Sequence, residues 1–167
     1  CSEQIYVDVF GLGAAFPLAF GAIALAISFG TFANSRIVMR HGMRRISNIS
    51  MLWFTGFAAL HALIAWIFGD SFWLFMGLLA LGFCVFGLMS SNFNALAMAN
   101  MGHVAGSASA VFGAVTATLG AILGALIARA FDGTTMPFLI GLTLAGLGII
   151  VSVLWTERGK LALSAGR

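Results

Sequence analysis

Arg36-Ile37-Val38-Met39-Arg40-His41-Gly42-Met43-Arg44-Arg45 holds half of the eight Lys and Arg residues of a 167-residue chain. Long apolar stretches flank this island on both sides. Only 8% of the chain is charged, against roughly 25% in a soluble domain. A protein folded in water spreads charge over its surface. Here charge vanishes for whole helix lengths and then gathers in one short loop after the first span, which points to a lipid bilayer as the solvent.

Composition agrees. Hydrophobic residues make up 61% of the chain and the mean hydropathy is +1.07. Thirteen charged side chains cannot cover a water-facing surface of this size, so most apolar side chains must face lipid. The net charge of +3 does not indicate nucleic acid, because the basic residues do not share a face with aromatics. Of the two cysteines, Cys84 lies inside an apolar stretch, which excludes a disulfide framework. Cys1 stands where an initiator Met would be expected, and the chain is therefore read as processed or as a fragment.

Working outward from the island, five stretches reach the roughly 20 apolar residues that a membrane helix needs. They cover about 14–38, 48–68, 72–97, 105–128 and 137–155, and none contains Asp, Glu or Lys. The fold class is all-α integral membrane, with five transmembrane helices. Pro17 and Pro137, the only prolines, each fall near the start of a span, where a missing N–H costs nothing. Asp70-Ser71 offers an N-cap for the third span, and Asp132-Gly133 marks the turn between the last two. Short connections imply that consecutive helices are antiparallel neighbours.

Counting Lys and Arg gives the orientation. The island and the tail (Arg158, Lys160, Arg167) share one side, which carries seven basic residues against Arg129 alone on the other. The island and C-terminus are expected to be cytoplasmic, with the N-terminus outside. Segment 5–13 is expected to be an outer loop with a small amphipathic stretch.

Within the fourth span small residues recur every three or four positions: Gly106, Ala110, Gly113, Ala117, Gly120 and Gly124. Such series permit close helix packing in lipid, so this span is expected to be central, with neighbours on at least two faces. The third span ends in Ser90-Ser91-Asn92-Phe93-Asn94. Polar groups this close to lipid need partners or water. Two readings stand side by side: these residues line a substrate cavity, or they bond neighbouring helices or sit at the interface. Asn34 poses the same choice and leans towards the interface. His61 has no acid in its own span and reads as a packed histidine; His103 falls in a connection, where solvation is expected. No metal-ligand spacing, catalytic triad, P-loop or nucleotide fingerprint is present, so no cofactor, metal or catalytic residue is expected and an enzyme has nothing to stand on.

Asn34-Ser35-Arg36-Ile37-Val38-Met39-Arg40-His41-Gly42-Met43-Arg44-Arg45 resembles the cytoplasmic loop motif of the major facilitator superfamily. Arg40, Gly42 and Arg44 match it, Ser35 stands for the usual Gly, and Met39 replaces the acid. Phe93-Asn94-Ala95-Leu96-Ala97-Met98 and Gly102-His103-Val104-Ala105-Gly106-Ser107-Ala108-Ser109-Ala110 are similar to the bicyclomycin-resistance (Bcr/CflA-type) drug/proton antiporters. So is Phe131-Asp132-Gly133-Thr134-Thr135 with Pro137. Ala99 and Asn100 depart from an acidic-proline pair.

The resemblance implies that the spans are the eighth to twelfth helices of a twelve-helix transporter, an incomplete C-terminal six-helix half. It implies proton-coupled export of hydrophobic small molecules across a bacterial inner membrane, with the N-terminal half as missing partner. On this reading Ser35, Arg36, Arg40, Gly42, Arg44 and Arg45 form the loop motif, and Phe83, Phe86 and Phe93 are candidate contacts for lipophilic substrates. The alternative is a non-transporting membrane scaffold or a half-transporter subunit.

Overall fold

The computed structural model describes residues 4–69, 71–99 and 101–156. Cys1, Glu3, Asp70, Asn100, the basic tail and the His103 side chain lie outside that description. The chain is all-α. Its five long helices are α1 (Phe16–His41), α2 (Met43–Phe68), α3 (Phe72–Met98), α4 (Ala105–Arg129) and α5 (Met136–Thr156). All five are long and apolar enough to cross a membrane. Even α5, with 21 residues, spans about 31 Å at 1.5 Å per residue, enough for a hydrocarbon core about 30 Å thick.

Local chemistry sets the ends. Pro17 sits in the first turn of α1 and Pro137 in that of α5. The Ser71 hydroxyl caps α3, accepting from the Leu74 backbone N–H at 3.4 Å. Asp132 Oδ1 accepts from the Thr134 N–H at 3.0 Å and the Thr134 hydroxyl at 2.6 Å, closing the turn before α5.

The island is not a loop. Nothing in Arg36–His41 breaks a helix, so α1 runs through it, and α2 starts at Met43. Gly42 alone separates them, with φ 78 and ψ 148. That conformation is essentially reserved for glycine, so one residue makes the whole turn.

The packing departs from a simple row of neighbours. Helix α3 packs along both α1 and α2, which hardly touch each other. Helix α5 packs on α2, and α4 meets α3 and α5 only sparsely. No residue of α4 is buried. The expectation of a central fourth span is therefore corrected: within the described residues α4 is the most peripheral helix, with no residue buried against the others. A side chain built at Gly106, Gly113, Gly120 or Gly124 would enter open space.

Close approach occurs elsewhere. A Cβ at Gly30 would strike the Cys84 carbonyl, and one at Gly87 would strike the Ile27 carbonyl. One glycine on each helix thus brings the α1 and α3 backbones together. At the end opposite the island, segment 5–13 folds back as a tight helical turn (Ile5–Val9). Ile5 and Tyr6 join a core with Ala19, Ile23, Phe75 and Leu139. Tyr6 packs edge-on against Phe75 at 6.1 Å, and burial pushes its phenol above the ordinary value. His61 is buried with its ring 5.3 Å from Phe75, as a packed histidine should be.

Candidate functional site

Three features converge on the island end of the bundle: a polar clasp, a long apolar groove and the arginines.

The clasp joins α1 to α3. Asn34 Nδ2 donates to Asn92 Oδ1 at 2.8 Å, and Asn92 Nδ2 donates back to Asn34 Oδ1 at 2.8 Å. Asn34 Nδ2 also reaches the Ser91 hydroxyl at 3.1 Å, and Asn92 Nδ2 reaches the Leu88 carbonyl at 3.0 Å. Asn34 and Asn92 are 6% and 3% exposed, so an unpaired amide at either place would be costly. Reciprocal pairing removes that cost and fixes both side chains. The Thr31 hydroxyl adds a longer bond to the Gly87 carbonyl at 3.4 Å, at the level of the glycine crossing.

At the third span's polar end, Ser91 and Asn92 bond the neighbouring helix. Asn34 is their buried partner. Ser90 and Asn94 are exposed on the outer faces of α3. Phe93 alone of the five lines the groove. Phe83 and Phe86 stack on each other at 5.9 Å, and Phe86 stacks on Phe54 at 5.7 Å; both belong to the α2–α3 packing.

The groove runs between α4 and α5, floored by α2 and α3, with about 1640 Å³ of space. Leu119, Leu123, Ile127, Ile140 and Leu144 make its walls. Arg44 and Asn48 stand at its island end, with Ser152 and Thr156 on α5. It exceeds the roughly 300–1,000 Å³ of a small-molecule pocket, which suits a further chain element better than a drug. Sequence reasoning missed it, since a gap between helices leaves no signal in either helix alone.

The arginines divide by helix. Arg36 and Arg40 lie one turn apart near the C-terminus of α1, where the helix dipole favours cations, and Arg36 lies 5.5 Å over the Phe32 ring. Ser35 turns its hydroxyl back to the Phe32 carbonyl at 2.7 Å. Arg44 and Arg45 stand in the first turn of α2, where the dipole disfavours them. No side chain caps that turn, and the buried Arg45 Nε has no hydrogen-bond partner. No group of His, Cys, Asp and Glu suited to a metal occurs among the described residues.

Compared with known proteins, the chain matches no family model, no curated protein and no solved structure.

Proposed function

We propose that the chain is the C-terminal part of a secondary multidrug efflux transporter of the major facilitator type, working by drug/proton antiport. The observation that carries the reading is Arg40-x-Gly42-x-Arg44 placed at a one-residue joint between two membrane helices. The resembled motif joins two helices in the same manner.

The packing gives independent support. Helix α3 fills the space between α1 and α2, whereas α4 and α5 flank an open groove. One more apolar helix in that groove would turn the five into two similar trios. Superfamily halves are built as inverted three-helix repeats, so the groove is where the absent helix of this half would pack. The open glycine face of α4 would then serve contacts to the other half.

Transport would proceed by rocking the two halves around a midplane site. The described spans hold no acid to carry a proton, so coupling falls to the other half. Orientation with the island in the cytoplasm of a bacterial inner membrane rests on the charge count alone. The half-transporter alternative shares the open α4 face and differs only in what supplies the partner.

Reconstitution tests the reading. Residues 1–167 alone should export no lipophilic dye from proteoliposomes, and co-insertion of a complementary chain carrying the seven absent helices should restore export. Export by 1–167 alone would end the proposal. Within an assembled transporter, Arg40→Ala should change turnover while leaving insertion intact.

A further inference from the structure

We propose that the start of α2 is a binding site for the phosphate of an anionic membrane lipid, held by Arg44 and Arg45 with support from Arg36 and Arg40. The inference does not depend on the transport reading.

Three observations lead to it. First, no acid among the described residues stands near this positive charge. Two guanidiniums share an uncapped helix start with the partial positive charge of the dipole. The described acids, Asp8 and Asp132, lie at the opposite end of the bundle, a membrane thickness away. Second, Arg45 is partly exposed and its Nε has no hydrogen-bond partner, so turning the side chain outward to a ligand gives up no bond. A phosphate oxygen suits guanidinium geometry. Third, the surface between the arginines is apolar. Ile37, Met39 and Met43 are 41%, 87% and 39% exposed. Basic residues interleaved with exposed apolar ones describe a surface lying in the headgroup layer. A free phosphate would find no use for that apolar surface, whereas a lipid brings phosphate and hydrocarbon together.

The test uses the full chain in mixed micelles of phosphatidylglycerol and phosphatidylcholine, with retained lipids counted by native mass spectrometry. The expected result is preferential retention of phosphatidylglycerol. In Arg44→Gln/Arg45→Gln the preference should fall about thirtyfold, from two charges beside an anionic surface. Arg44→Lys/Arg45→Lys should keep most of it, which guards against a mere folding defect. Arg129→Gln, at the other end, should leave it unchanged, and so should Glu157→Gln, which removes the acid that follows Thr156 in the sequence. Equal retention of both lipids would overturn the proposal, as would a preference that survives the double glutamine variant or fails with Arg129→Gln or Glu157→Gln. Inorganic phosphate should not raise the thermal unfolding midpoint as phosphatidylglycerol does. If it does so equally, the site takes free phosphate and the lipid assignment is wrong.

Discussion

The α1–α3 crossing and helix α4 solve the same problem in opposite ways. Each offers glycine on an otherwise apolar helix. At the crossing, one glycine per helix meets an opposing backbone, and two amides close the contact. On α4, glycine recurs along the helix and meets nothing. Abundance of small residues therefore does not mark where helices touch. What marks it is a polar partner held at the same level of the other helix.

The contrast can be broken most directly at the glycines. Gly30→Ala or Gly87→Ala forces a Cβ into a backbone carbonyl that cannot turn aside, and each should cost about 2–3 kcal/mol. Gly120→Ala and Gly124→Ala should stay within about 0.5 kcal/mol. Unfolding by dodecyl sulfate in mixed micelles would measure both, and equal costs would erase the distinction. Repeating the α4 variants after adding a complementary chain with the seven absent helices sharpens it, because a cost should appear only there.

Gly42→Ala comes next. It leaves every contact of α3 untouched but places a Cβ at φ 78 and ψ 148. The expected loss is about 2 kcal/mol, within the range for such backbone positions. The same unfolding assay reads it, and a loss near zero would mean that the joint rearranges freely.

The clasp should respond less, and not additively. Asn92→Leu leaves the buried Asn34 Oδ1 without its donor, while Asn34 Nδ2 keeps the Ser91 hydroxyl, and should cost about 1–2 kcal/mol. Membrane hydrogen bonds average only about 0.6 kcal/mol, so Asn34→Leu/Asn92→Leu should recover part of the loss. A double-mutant cycle with coupling below about 0.5 kcal/mol would show that the pair is not a unit.

The smallest effect belongs to the turn before α5. The Thr134 hydroxyl and then its backbone N–H hold the Asp132 carboxyl below its ordinary value. A depressed value in the folded state means that the contribution is present above the ordinary carboxylate range and is lost as pH falls through the folded value. Thr134→Ala should move the carboxyl resonance titration upward in NMR, with little change in stability. A titration that does not move would remove Thr134 from the account.

The five spans were legible because each is an apolar run of sufficient length, and three of them begin at a proline or a serine cap. The island was misread as a loop because charge density resembles a connection, while Ile37 to His41 contains no residue that ends a helix. Partners between helices were not legible. Asn34 and Asn92 are 58 positions apart, and neither carries any local sign of the other. The glycine series on α4 drew attention by repetition, while Gly30 and Gly87, single residues in long helices, did not.

The clasp also has a schedule. Asn34 is synthesised 58 residues before Asn92, and translation runs at about 5–20 residues per second. For roughly 3–12 s after its synthesis the Asn34 amide has no Asn92 to pair with, and α2 is completed within that interval. Gly42 keeps α1 and α2 joined at one end only, so α3 arrives as the wedge that sets their spacing. A chain stalled before Asn92 thus holds α1 and α2 with an unmet polar group, a species on which membrane quality control can act.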